Sequence, residues 1–301
     1  MAKAAGGALA GAVSQAGGLG LIGGGYGDRD WIADEFARAG NRAVGCGLIT
    51  WALAEQPDVL AEVLSHRPKG VMLSFGDPAP FAPQIAEAAV PLIVQVQSLR
   101  DAKRAADVGA QVIVAQGSEA GGHGQSRGTM SLVPEVADHL AQSHPDVILV
   151  AAGGIADGRG LAAALMLGAE GVLIGSRLWA SDEALVAPDM LAAALGADGD
   201  DTIRSTVMDV ARRLNWPDRY TCRVLRNGFT DRWHEDLAGL IAVAEAEAAK
   251  WAEAWDAGDP QGANTFVGEA VGMIDTVRPA GELIAEISAE AEALLGHGWR
   301  R

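Results

Sequence analysis

The sequence predicts an α/β protein: a (β/α)8 TIM barrel lacking its first strand at the N-terminus, with a helical insertion or second small domain. Three observations lead there. Short runs rich in β-branched residues alternate with alanine-rich helical stretches. The runs are apolar throughout, which marks a parallel sheet covered on both faces. Glycine sits between helix and strand in Val108-Gly109-Ala110 and Leu167-Gly168-Ala169, where it supplies the left-handed residue that stops a helix.

The elements follow in order. The chain opens in a helix-like segment, Gly6–Gln15, so the missing strand would fall before Met1. Strands are expected at Leu19–Gly23, Ala43–Ile49, Gly70–Phe75, Leu92–Val96, Val112–Ala115, Val147–Ala151 and Gly171–Ile174. The clearest helices between them are Leu99–Val108 and Gly158–Leu167. Seven strands also suit an open doubly wound sheet, so the count alone leaves that alternative standing. After Ser176 the rhythm changes: residues 185–265 show no strand alternation, hold Trp216, Trp233, Trp251 and Trp255, and include the strongly helical run Glu235–Asp256. The expected division is a barrel of residues 1–184 and 266–301 with a mainly helical insertion or lid at 185–265. An amphipathic helix within Gly268–Leu295 would complete the outer ring.

The bulk numbers bound the function. With 301 residues and 49% hydrophobic content a large core can be buried. The net charge of −16 repels nucleic acid and anionic lipid, yet permits an anion site built from backbone N–H groups. Two isolated cysteines, Cys46 and Cys222, suit a reducing compartment. With no signal-peptide layout and no span of bilayer length, a cytoplasmic protein is expected. The oligomeric state is open between monomer and homodimer.

Several motifs compete to carry chemistry. Gly18-Leu-Gly20-Leu-Ile-Gly23 satisfies GxGxxG, but a helix precedes it and a strand follows, the reverse of the dinucleotide context; it reads as a turn. Gly153-Gly154 follows a strand and opens a helix, either as a tight βα turn or as a phosphate cradle. Gly175-Ser176 ends the next strand, and barrel enzymes often hold phosphate on the loops after strands seven and eight. His123 stands among glycines in Gln116-Gly-Ser-Glu-Ala-Gly-Gly-His123-Gly at a strand's C-terminal end. There it is either an exposed loop residue or a proton-transferring group standing clear in a cleft. No metal-ligand spacing is present, the acidic turn Asp198-Gly-Asp200-Asp201 does not meet the EF-hand pattern, and there is no GxSxG elbow.

The segments GALAGAVSQAGGLGLIGGG, QGSEAGGHG and AAGGIADGRGLAAALMLGAEGVLIGSRL, with VGEAVGMID near the C-terminus, resemble the nitronate monooxygenase family, formerly 2-nitropropane dioxygenases. The resemblance implies an FMN-dependent barrel flavoprotein, an oxidoreductase converting an alkyl nitronate and O₂ to a carbonyl compound and nitrite. By position, His123 is the active-site histidine, acting as base for neutral nitroalkanes or stabilising the bound nitronate. FMN contacts are implied at Gln116, Gly121, Gly153, Gly154, Leu173, Ile174, Gly175 and Ser176. Gln95 falls where relatives place a polar or basic residue near the flavin ring, and Met1 and Ala2 match the end of the family's opening strand. Where relatives carry Asn in a GVNL-like strand, this chain has Gly45-Cys46-Gly47-Leu48. The scaffold is also similar to FMN-dependent enoyl-acyl-carrier-protein reductases and NAD(P)H:quinone reductases, and a non-catalytic flavin-binding barrel is the third reading.

Overall fold

The computed structural model describes residues 3–298. Met1 and Ala2, expected to touch the cofactor, lie outside the described residues.

Seven parallel strands form one sheet: β1 (Leu21–Gly25), β2 (Gly45–Ile49), β3 (Val71–Ser74), β4 (Leu92–Val96), β5 (Val112–Gln116), β7 (Ile148–Ala152) and β8 (Gly171–Leu173). They pair in that order. Every pair is parallel, with the helices packed outside as in a (β/α)8 barrel. Between β5 and β7 runs a three-residue strand, β6 (Gly122–Gly124), which belongs to a different sheet.

The continuous apolarity of the strands has a simple cause. Side chains alternate between two buried faces. In β4, Leu92, Val94 and Val96 join the large core between sheet and helices, whereas Ile93 joins Met72, Val114 and Ala152 in the barrel interior. The same alternation puts Gln95 on the interior face above Ile93, and Gln116 above Val114.

Local signals start and stop the helices. Ser98 caps the helix Leu99–Asp107 by accepting from Asp101 N at 3.1 Å, and Asp157 caps Gly158–Met166 by accepting from Gly160 N at 3.1 Å. Gly109 and Gly168 follow those helices at φ +90° and +95°. The closing helix, Ala280–His297, packs on Gly158–Met166 and on the opening helix Gly7–Gln15. It thus bridges the outside of the ring between β8 and β1. On the inside, Lys3 N donates to Gly23 O and Gly23 N to Ala5 O, at 3.3 and 2.8 Å, so chain is present along the free edge of β1.

The segment expected to be mainly helical holds strands as well. The helices Pro188–Leu195, Gly228–Trp233 and Ala244–Ala257 are there, but so are β9 (Thr202–Ser205) and β10 (Thr221–Leu225), antiparallel to each other and joined by β6. Their alternation was masked by Arg204 and Arg223, which face each other across the pair. Both guanidinium groups donate through Nε to the Ser118 carbonyl, each at 3.1 Å, so two polar residues occupy positions a sequence pattern reserves for apolar ones. A separate core of Met208, Cys222, Val224, Phe229, Trp233 and Leu240 supports this sheet. No helix among the described residues is long and apolar enough to cross a membrane.

Candidate active site

At the C-terminal end of the barrel the interior turns from apolar to amide. Gln116 Oε1 accepts from Gln95 Nε2 at 3.1 Å and from Gln97 Nε2 at 2.7 Å, and its own Nε2 donates to the His123 carbonyl at 3.2 Å. All three glutamines are buried. In so dry a place each amide must find partners, since an unmade bond costs about 1–3 kcal/mol; the trio therefore fixes the orientation of all three. A cleft of about 250 Å³ opens beside them, lined by Gly76, Asp77, Gln95, Gln97, Arg100 and Tyr220 among others. Nearby, at the ends of β2 and β3, Thr50 Oγ1, Trp51 Nε1 and Ser74 Oγ are buried without a hydrogen-bond partner.

His123 does not stand clear in a cleft as its glycine neighbours suggested; it is the middle residue of β6, opposite Cys222 of β10, and 7% exposed. Of the flanking glycines, Gly124 allows the strand's close approach, since a Cβ there would lie 2.8 Å from the Arg204 guanidinium, and Gly122 takes a φ of +77°. Its imidazole is gripped on three sides. Nε2 lies 3.0 Å from both carboxylate oxygens of Asp209, in the short helix Val207–Ala211. Trp216 stacks on one face with centroids 3.4 Å apart and planes within 5°. Phe75 approaches edge-on at 6.2 Å. Trp216 is itself held by its indole N–H, which donates to Tyr26 Oη at 3.1 Å.

The electrostatics of this residue are a contest. Burial pushes His123 below its ordinary pKa of 6.5; the Asp209 carboxylate opposes it, and Arg212 and Arg204 add to the lowering. The net direction is downward, which favours the neutral imidazole. Since a carboxylate only accepts, the Nε2–H donates to Asp209 and the lone pair resides on Nδ1, which makes no hydrogen bond among the described residues.

A second cluster lies on the loops after β7 and β8. Gly153 and Gly154 have φ of +102° and +73°. A Cβ on Gly153 would lie 3.0 Å from Gly117 O and 3.1 Å from Thr129 Oγ1. Gly121 presses on Val267 and Gly268, where a Cβ would come within 2.4 Å of the Val267 carbonyl carbon. Gly175 faces open space, and Ser176 Oγ accepts from Gly268 N at 2.8 Å. Leu173 packs in the barrel interior and Ile174 against the outer core. Neighbouring helix starts are already taken by carboxylates. Glu119 accepts from Thr129 N at 2.9 Å, Glu290 from Gly158 N at 2.7 Å, and Glu183 from Ala280 N at 2.9 Å.

The structure thus gathers Gln95, Gln116 and His123 at the barrel mouth, and Gly121, Gly153, Gly154 and Ser176 around the adjoining loops. Sequence reasoning missed Gln97, Asp209, Trp216 and Tyr26. Gln97 carries a signal, continuing the alternation Ile93-Gln95-Gln97; Asp209 and Trp216 carry none. Among the described residues no group of three or more His, Cys, Asp or Glu could hold a metal ion.

Comparison with known proteins fits this geometry. Residues 50–290 match the family described as nitronate monooxygenase. The nitronate monooxygenase of Neurospora crassa is 35% identical over 96% of this chain and 86% of its own length. Among solved structures, FabK from Thermotoga maritima superposes with a TM-score of 0.86 at 30% identity, covering 98% of this chain and 92% of that one. A nitroalkane oxidase from Streptomyces ansochromogenes follows at 0.81 and 25%, covering 98% and 94%.

Proposed function

This chain belongs to the nitronate monooxygenase family and is an oxidoreductase; from that premise we propose that it binds FMN and uses O₂ to oxidise alkyl nitronates to a carbonyl compound and nitrite. The observation that carries the reading is His123, a neutral imidazole buried at the barrel mouth between the amide trio and the insertion, with one nitrogen engaged and the other unbonded.

The residues present fit a flavin mononucleotide. Gly153, Gly154 and the backbone at Gly175-Ser176 form a cradle with open space at Gly175, and backbone N–H groups suit a phosphate without any cationic side chain. The amides of Gln95, Gln97 and Gln116 suit the polar edge of a flavin ring. Thr50, Trp51 and Ser74 hold buried polar atoms that a ligand would satisfy. When bound, the flavin supplies the electron chemistry. The protein's own part is to bind, orient and exclude water. Phe75, Trp216 and Tyr220 pack edge to face on one another with centroids 5.0 to 6.0 Å apart, two of them also against the histidine, and keep bulk solvent away. His123 handles the proton: as a neutral base it accepts one from a nitroalkane at Nδ1, and the Nδ1–H so formed counters the charge of the nitronate produced.

The test is an anaerobic mixing experiment on the purified flavoprotein. Propionate 3-nitronate is expected to reduce the bound flavin without any nicotinamide, and nitrite to appear once air is admitted. Reduction by NADH or NADPH alone, with nitronate inert, would move the chain to the reductase side of this scaffold and overturn the reading.

A further inference from the structure

Asp209 lies 86 residues beyond the histidine it contacts, in a segment with no motif of its own. Its place nevertheless controls the imidazole to which the proton transfer is assigned above. Both carboxylate oxygens are 3.0 Å from Nε2 and the residue is 4% exposed. A buried carboxylate aimed at one imidazole nitrogen dictates which nitrogen carries hydrogen and leaves the other as the base. Trp216, seven residues further on, lies flat on the same ring, so the imidazole is clamped both in plane and face-on by one short stretch of the insertion. His123 reaches that stretch because β6 leaves the barrel to pair with β10.

We propose that Asp209 is the positioning residue of this site: by holding His123 in the Nε2–H tautomer, it directs Nδ1 to take the α-proton of neutral nitroalkanes, so that the enzyme accepts these as well as preformed nitronates. The proposal rests on the nitronate-oxidising reading above. The step balances without a co-reactant. The C–H bond of the nitroalkane breaks, its electron pair becomes the second bond between carbon and nitrogen, and the negative charge passes to the nitro oxygens. The proton forms a bond to Nδ1. The resulting imidazolium keeps its Nε2–H on Asp209, whose charge compensates the one just created. A preformed nitronate has no proton to lose, so Asp209 bears on the two substrates unequally.

The test compares wild type with Asp209→Asn and Asp209→Glu. Asparagine is isosteric but uncharged, and it can turn its NH₂ toward Nε2 and so favour the other tautomer. In Asp209→Asn, kcat/KM for nitroethane is expected to fall about a hundredfold relative to kcat/KM for ethyl nitronate, with Asp209→Glu restoring part of the ratio. The charged and titratable groups facing His123 are Asp209 and Arg212 from the short helix, Arg204 from β9 and Cys222 from β10. Of these only Asp209 raises it, so the acid limb of the nitroethane profile, below pH 6.5 in wild type, moves further down in Asp209→Asn. Looser packing alone would lower both substrates together and leave the limb in place. Nitrogen-15 NMR of histidine-labelled protein reads the tautomer without any substrate, and the flavin spectrum and Tm check that each variant is folded. An Nδ1–H tautomer in wild type, or equal loss on both substrates, overturns the proposal. An Nε2–H tautomer that is lost in Asp209→Asn supports the positioning role even if wild type oxidises neither nitro compound, a result that would sink the substrate reading alone.

Discussion

At the scale of single residues, the site separates into what a short motif can carry and what only the fold can. Gly153 belongs to the first kind: its φ of +102° disfavours ordinary side chains, and a Cβ there would press on Gly117 O and Thr129 Oγ1 at 3.0 and 3.1 Å. Gly153→Ala is expected to cost about 1–3 kcal/mol of stability, read by urea denaturation, and to release flavin on dialysis that wild type retains. A variant with full flavin content would argue against a cradle there. His123 was legible for a similar reason, since a histidine in a glycine run at a strand end is conspicuous in the sequence alone. Its burial was not, because the strand that covers it comes about a hundred residues later. Asp209 and Trp216 were illegible altogether. Their meaning comes from contact with His123, and nothing in Val-Met-Asp-Val or Leu-Asn-Trp-Pro foretells that contact.

At the scale of elements, the seven barrel strands were readable to within two residues because each is an apolar run bounded by a glycine or proline, and five of them are buried along nearly their whole length. The small sheet failed the same test. β9 and β10 place Arg204 and Arg223 at protected positions, where the Ser118 carbonyl, Thr202 and Thr221 absorb their donors. Burial and mutual repulsion hold Arg204 down to about 10, a cost the pair bears to brace the loop leading to His123. The closing helix makes the opposite case, an amphipathic segment whose role was plain from its pattern. It buries Leu283 and Ile287 against the neighbouring helices. Replacing both by Ala should cost about 4 kcal/mol or more in urea denaturation, at about 2–5 kcal/mol for each such truncation in a packed core. A loss under 1 kcal/mol would mean that this helix does not seal the ring.

At the scale of the whole molecule, labour is divided. The barrel carries the glycine cradle and the glutamines, the insertion carries Asp209 and Trp216, and β6 belongs to the barrel by sequence but to the insertion by hydrogen bonding. That topology bears on the time course of folding. Successive barrel strands are separated by short stretches of chain and can pair as they form, whereas β6 waits for β10, which follows it by about a hundred residues, and long closures of this kind form late. Stopped-flow refolding should therefore show two phases: an earlier one in far-UV circular dichroism as the sheet and its helices assemble, and a later one in tryptophan fluorescence as Trp216 settles on the imidazole. A single phase seen by both probes would mean the two sheets form together. With separate phases, a partly folded chain would have the barrel of an enzyme before it has the means to move a proton, and activity would return only with the slower one.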